Sequence, residues 1–308
     1  MKTRLAALAL GTALTAGMAH AETTVGVSMT SFDNPFLTIL LDGIRSEAAT
    51  HSDLTLSVED AQLDVARQLN QVQNMVANGV DAIIVNPVDG AATPAMTAVA
   101  RDAGIPIVYV NHPPAEHENM PEGASFVGSD EKQSGTMQTK AVCEMLGGKG
   151  KVLVLMGPLE NEASMVRTRD IEEVISQAPC DGMEIVDKQV GNWNRTQGAD
   201  LTTNWLTAGI PFDAIISNND EMAIGAIQSL RAAGADMDRI VVAGIDATPD
   251  GLAAMRAGDL DVTVFQNATK QGQVTLQTAL DMAAGQSVEG NIWVPFEPVT
   301  PDTLDQYN

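Results

Sequence analysis

Short apolar runs rich in β-branched residues alternate along the chain with stretches whose apolar positions recur every three or four residues, so strands and amphipathic helices are expected in succession. The first strand is read at Thr24 to Met29, followed by a helix with Phe36, Leu37, Leu40, Leu41, Ile44 and Ala48 on one side. A strand from Leu54 to Val58, a helix carrying Val65, Leu69, Val72 and Val76, and a strand from Ala82 to Val85 come next. A helix near Pro94 to Ala103 and a strand from Ile107 to Val110 complete the first half. A second set of strands is read at Val152 to Met156, Met183 to Val186, Ala214 to Ser217 and Ile240 to Ala243, with helical patterns between them. Repeated βα units predict an α/β fold with parallel, doubly wound sheets covered by helices on both faces.

The two halves read alike. Val80 to Asn86 matches Phe212 to Asn219, and Ile105 to Asn111 matches Ile240 to Asp246, each ending in a hydrogen-bonding side chain. Asn86 to Asn219 is an offset of 133 and Asn111 to Asp246 one of 135, so two similar lobes with polar groups at matching strand ends are expected. The tail from Val262, with a strand to Phe265, a helix from about Gln271 to Ala284 and an extended run from Trp293 to Pro298, is too small for a third domain. It is expected to pass between the lobes and complete each sheet, so that several connecting segments form a hinge.

Lys2 and Arg4, the apolar run from Leu5 to Met18 and the small-residue pattern Ala19-His20-Ala21 have the layout of a cleavable secretory signal over residues 1–21, and the run is too short to span a bilayer. Export to the periplasm is therefore expected. The formal charge of -23 becomes -25 without Lys2 and Arg4, which repels phosphates and argues against a nucleic-acid partner. Cys143 and Cys180, an even pair in an oxidising compartment, leave open a disulfide or two buried thiols.

Open parallel sheets bind ligands beyond the carboxyl ends of their strands, and two such sheets facing each other make one cleft. That rule places Asn34, Phe36, Asn86, Asn111 and His112 from the first half in the cleft with Trp193, Asn219, Asp246 and Gln266 from the second, and Arg169 can join them. Amides both donate and accept, Asp accepts from two hydroxyls and Arg presents a fork of donors. Phe36 and Trp193 could sandwich the C–H faces of a ring. The set suits a small neutral polyol.

Several motifs carry a resemblance over essentially the whole mature chain: Phe32-Asp33-Asn34-Pro35-Phe36, Val85-Asn86-Pro87, Arg167-Thr168-Arg169, Ser217 to Ala226, and Gly244 to Gly251. With these the sequence resembles periplasmic sugar-binding proteins of the ribose-binding type, the substrate-binding subunits of ABC importers. The resemblance implies ligand contacts from Asn34, Phe36, Asn86, Arg169, Trp193, Asn219, Asp246 and Gln266. It also implies an N-terminal lobe of residues 22–129 plus 267–295, a C-terminal lobe of 130–266 plus 296–308, and a three-segment hinge. Asn111-His112 stands where ribose binders place an Asp-Arg pair, and Leu37 and Ile245 replace aromatics. Ser28 to Thr38, Tyr109 to His112 and Val264 to Asn267 are similar to the inositol and rhizopine binding branch, which makes myo-inositol or a related cyclitol the expected ligand.

The sequence holds no G-x-S-x-G elbow, no phosphate loop ending in Gly-Lys-Ser/Thr and no H-E-x-x-H, so no enzyme, cofactor or metal site is expected. Gly147 to Gly150 reads as a helix stop. The expected partners of a monomeric chain are the polyol, a membrane ABC permease and, as a further option, a chemoreceptor. The competing readings are a pentose or hexose binder on the same fold and a sugar-sensing regulator, which would need a DNA-binding headpiece with no room before Thr23.

Overall fold

The computed structural model describes residues 22–307, so the expected secretory leader lies outside the described residues. The first half runs β1 (Thr23–Met29), α1 (Pro35–Ala48), β2 (Leu54–Asp60), α2 (Val65–Ala77), β3 (Ala82–Val85), α3 (Thr93–Asp102), β4 (Ile107–Val110) and β5 (Ala124–Gly128). The second half runs α4 (Glu131–Met145), β6 (Lys149–Met156), α5 (Glu162–Ile175), β7 (Gly182–Val190), α6 (Arg195–Ala208), β8 (Ala214–Ser217), α7 (Asp220–Ala232), β9 (Val241–Ala243) and α8 (Pro249–Arg256). The tail adds β10 (Thr263–Gln266), α9 (Ala268–Ala283), β11 (Asn291–Trp293) and β12 (Phe296–Val299).

Every pair in the first sheet is parallel, in the order β11-β5-β4-β3-β1-β2. The second sheet has the order β7-β6-β8-β9, also parallel. In both, the strand order reverses beside the first strand of the half, β1 or β6, which is where a crevice opens at the carboxyl ends.

Alternation along the strands explains the unbroken apolar runs. Ala82, Ile84, Val108 and Val110 pack under α1 and α9, whereas Ile83, Val85, Ile107 and Tyr109 pack under α2 and α3. Successive side chains of a strand point to opposite faces, so a strand covered by helices on both sides must be apolar throughout. The second sheet repeats the device: Leu153, Leu155 and Ile215 face α6, α7 and α8, and Val152, Val154 and Ile216 face α4 and α5.

The chain crosses between the sheets three times, from β5 to α4, from β10 to α9, and from β11 to β12. Helix α4 packs on α5, β9, β10 and β12, while α9 packs on α1, β3, β4 and β5. Two details differ from the expected all-parallel plan. β12 pairs with β10 antiparallel, because β11 ends on the cleft side and the re-entering chain must run away from it. β10 joins β9 without a regular ladder, through the bridges Ala243–Val262 and Asp246–Phe265 and backbone bonds from the Gly244, Asp246 and Gln266 amides to the Val262, Val264 and Asp246 carbonyls. The pattern reading also has no counterpart of β5, a five-residue strand that ends in a glycine and follows another.

Cys143 of α4 and Cys180 ahead of β7 form a disulfide, 37 residues apart in sequence, which settles the open choice between bridge and thiols. Its loop is long enough for cross-linking to lower the unfolded chain's entropy by about 3–4 kcal/mol at 25 °C. Replacing both cysteines by Ala should lower stability by up to that amount in urea titrations. Ligand affinity should hold, since neither cysteine borders the cleft cavity described next.

Candidate ligand-binding site

The strand ends turn sharply, and non-glycine residues make the turns. Asn111 after β4 (φ 64°) and Asp246 after β9 (φ 122°) occupy matching corners, as do Gln62-Leu63 after β2 and Asn192-Trp193 after β7. Left-handed backbone costs an L-residue roughly 1–2 kcal/mol, and such residues concentrate at ligand sites.

Between the two sheets these corners and neighbouring helix starts close on one cavity. The first half contributes Asn34, Phe36, Leu37, Asn111 and His112, and the second Glu131, Ala163, Arg167, Trp193, Asn219, Asp246 and Gln266. The enclosed space is about 30 Å³, enough for two or three waters at roughly 10–15 Å³ each. Larger depressions, of about 630 Å³ beside the disulfide and about 500 Å³ behind β10, lie outside it, although the latter shares Phe36, Asp246 and Gln266.

Arg167 is the centre of the site. Its Nε and Nη2 donate to Glu131 at 2.7 and 3.2 Å, Nη1 donates to the Asn218 carbonyl at 2.8 Å, and Nη2 also donates to Gln266 Oε1 at 3.2 Å. The guanidinium lies over the rings of Trp193 and Phe296, 5.6 and 5.9 Å from their centroids. Burial by itself favours the neutral form, but Glu131 and Asp246 outweigh it and hold the group charged. Gly135, one turn beyond Glu131 on α4, allows the contact: a Cβ there would lie 2.6 Å from the Arg167 carbonyl oxygen.

Asp246 stands 3.9 Å from Arg167 Nη1, too far for a hydrogen bond. Burial, only partly offset by Arg167, pushes its carboxyl well above the usual range, and Asp220, Glu131 and Glu221 add to the shift. The loop that holds it is pinned from below by Asp220, which accepts from the Thr248 amide at 2.9 Å and from the Thr263 hydroxyl at 2.7 Å. Burial raises Asp220 to about 7. The neighbouring Arg195 joins the starts of α6, α7 and α8 through Glu221 and Asp250.

His112 Nδ1 lies 2.8 Å from the Pro87 carbonyl oxygen. A carbonyl can only accept, so Nδ1 carries the proton and neutral Nε2 is left as an acceptor. Burial lowers its pKa to about 4, aided by the nearby Arg167 charge. Trp193 Nε1 and Gln266 Nε2 are buried donors without partners among the described residues. The indole rests on the backbone at Gly157, where a Cβ would stand 2.3 Å from the ring. Asn34 Oδ1 caps α1 through the Leu37 amide, and Asn219 Oδ1 caps α7 through the Met222 amide.

Three expected site residues stand elsewhere. Asn86 is fully buried, its side chain bonded to the Thr30 amide and the Val110 carbonyl, so it ties strand ends together. Asn218 does the same in the second half by accepting from the Gly157 amide, which makes Asn218, not Asn219, its counterpart. Ile245 is buried with Val264 and Phe296. Arg169 is exposed, because two residues along a helix turn a side chain about 200° from Arg167. Glu131, Ala163 and Arg167 were missed. A helical phase through Ala163, Arg167, Ile171 and Val174 marks the inward face of α5, while nothing local marks Glu131.

A family model described as periplasmic binding protein domain matches residues 25–287. The chain is 54% identical over 289 residues, 94% of it and 93% of the relative, to a Rhizobium meliloti protein provisionally named as rhizopine-binding. It is 30% identical over 276 residues, 90% of it and 87% of the relative, to the ribose import binding protein of Bacillus subtilis. Among solved structures it is similar to an ABC transporter solute binding protein from Bacillus halodurans with bound myo-inositol. That match has a TM-score of 0.88 and 40% identity, and covers 93% of this chain and 97% of the other.

Arg167→Met should destabilise the fold by about 3–5 kcal/mol in urea titrations, because Glu131 is left buried and unpaired. Arg169→Ala should be neutral within about 0.5 kcal/mol, as expected of an exposed side chain.

Proposed function

The chain belongs to the periplasmic binding protein domain family, and from that premise we propose that it captures a small polyol for an ABC importer, with myo-inositol or a related cyclitol as the best fit. The observation that carries this reading is the convergence of donors, acceptors and apolar surfaces from both sheets on one cavity. Trp193 Nε1 and Gln266 Nε2 offer hydrogens, His112 Nε2 and the Asp246 carboxyl offer acceptors, and Phe36 supplies apolar surface. A ring bearing a hydroxyl on every carbon can answer donors and acceptors around its whole rim. The Bacillus halodurans structure with bound myo-inositol and the Rhizobium relative support the same class. Ribose import by the Bacillus subtilis relative favours a pentose or hexose as the second reading. Asn111-His112 disfavours it, since this corner offers an amide and a neutral imidazole in place of a charged pair.

A cavity of about 30 Å³ cannot admit a six-membered ring with the side chains as they stand. The ring enters when the lobes, residues 22–129 plus 267–295 and 130–266 plus 296–308, part about the three crossings. It bridges them on closure, so closure is favoured by contacts made only in the closed form. A membrane permease, or a chemoreceptor, then distinguishes loaded from empty protein by the outer surfaces of the lobes. A leader cleaved near Ala21 would deliver a monomer to the periplasm.

A thermal-shift screen of the chain from Glu22 against pentoses, hexoses and inositols should give its largest stabilisation with an inositol, because a ligand that binds the folded form raises the melting temperature. A pentose or hexose outranking every inositol would select the second reading. Asp246→Ala should weaken binding by about 1–3 kcal/mol, measured by calorimetry. Affinity should also fall as pH approaches 4, where His112 Nε2 gains a proton and stops accepting. In His112→Gln that acid limb should vanish while binding at pH 7 persists.

A further inference from the structure

We propose that His117 and Glu162 form a latch outside the ligand cavity, an ion pair made only when the two halves close, through which acidification tightens capture. The inference rests on the reading that closure holds the solute, and adds a control that lies beyond the solute's reach.

Nδ1 of His117 stands 3.7 Å from Glu162 Oε2. Residue 117 lies before the first crossing between the sheets and residue 162 after it, so the contact spans the two halves. The ion pairs of Arg167, Lys188, Arg195 and Arg231, by contrast, each stay within the second half. The two segments that carry the latch also meet inside the cavity, through His112 and Ala163. The latch thus sits beside the solute's space without lining it. It grips the first turn of α5, the helix that presents Arg167.

Both partners are held in place. The turn His117–Asn119 is tied to β11 by Asn291 Nδ2, which donates to the His117 carbonyl at 2.7 Å. The Ala115 amide ties the same segment to the start of α3 by donating to Thr93 Oγ1 at 3.0 Å. Glu162 follows Asn161, whose side chain caps α5. His117 Nδ1 lies 3.0 Å from the Pro114 carbonyl oxygen, so this nitrogen carries a proton and a second proton adds at Nε2. The distance to Glu162 is too long for a hydrogen bond, and the attraction is that of a charged imidazole for a carboxylate. A histidine gains that charge as pH falls from about 8 to 5. Glu116 and Glu118, on its own segment, stay beside it in open and closed forms alike, and β11 meets it through the uncharged Asn291. Closure adds Glu162 to these neighbours. Charged His117 is therefore favoured in the closed form, and by reciprocity its protonation favours closing. With side chains 23% and 44% exposed, the pair is worth about two- to fivefold in an equilibrium. Where the empty protein is mostly open, that factor passes in full to the affinity.

The test is calorimetry of the chain from Glu22 at pH 6 and pH 8 with myo-inositol, or with D-ribose should myo-inositol not bind. At pH 6 the parent should bind about two- to fivefold more tightly than Glu162→Gln, and at pH 8 the two should match. His117→Gln should behave as Glu162→Gln does, and combining the two should cost nothing more. His117→Lys, charged at both pH values, should keep at pH 8 the advantage that the parent shows at pH 6. A merely structural role would lower affinity at both pH values and would not be rescued by lysine. Nitroxide labels on Leu63→Cys and Leu159→Cys, exposed residues beyond the ends of β2 and β6, report the closed fraction without any solute. At pH 6 that fraction should be larger in the parent than in Glu162→Gln. Equal affinities of these two at pH 6 overturn the latch and leave the polyol reading standing. If neither solute binds, the polyol reading falls and the label distances decide, equal closed fractions at pH 6 overturning the latch.

Discussion

A buried guanidinium must be surrounded by acceptors, and the way Arg167 meets that demand organises the molecule. Its carboxylate partner, Glu131, opens α4 just after the first crossing between the sheets. Gln266 closes β10 just before the second, and Phe296, under the guanidinium plane, opens β12 just after the third. One side chain thus touches all three segments that connect the lobes, and Asn218 ties it to the end of β8. Removing an acceptor would strand a charge in a dry place, at a cost of several kcal/mol, so the crossings are held in mutual register by electrostatics as well as by chain connectivity.

On that base the two halves use one framework for different chemistry. Asn34 and Asn161 cap the corresponding helices α1 and α5. Counting from those caps, Phe36 corresponds to Ala163 and Leu40 to Arg167. The first half gives the cavity an aromatic face, amides and an imidazole; the second gives it the fixed charges. The left-handed corners at Asn111 and Asp246 are retained in both, with an amide in one and an acid in the other. Asymmetry on a symmetric frame gives the cavity two chemically different sides.

The frame was legible in the amino-acid order because strands covered on both faces are apolar without interruption, and Ala82 to Val85 shows it in four residues and Ala214 to Ile216 in three. Most of the cavity was legible too, since the rule about strand ends depends on topology alone. Arg169 failed for a local reason: Arg167-Thr168-Arg169 offers two guanidinia, and only the helical phase of α5 tells which faces inward. Asn86 failed for another, because a buried amide at a strand end serves the backbone as readily as a ligand. Glu131 left no trace, since its partner lies 36 residues away and no periodicity links them. The reversed direction of β12 follows from where the chain re-enters, which only the three-dimensional path reveals.

The join between β9 and β10 has a mechanical consequence. Where the interior strands of each sheet share a regular ladder, here the Gly244 and Asp246 amides donate to the Val262 and Val264 carbonyls and the Gln266 amide donates to the Asp246 carbonyl, beside the positive-φ pair Asp246 and Ala247. Net backbone bonds are worth about 1 kcal/mol each, so the two that Asp246 makes hold its loop to β10 by about 2 kcal/mol. The seam runs through Asp246 itself, so a residue that lines the cavity also fastens the scaffold, and whatever draws on its side chain pulls on the join between the strands.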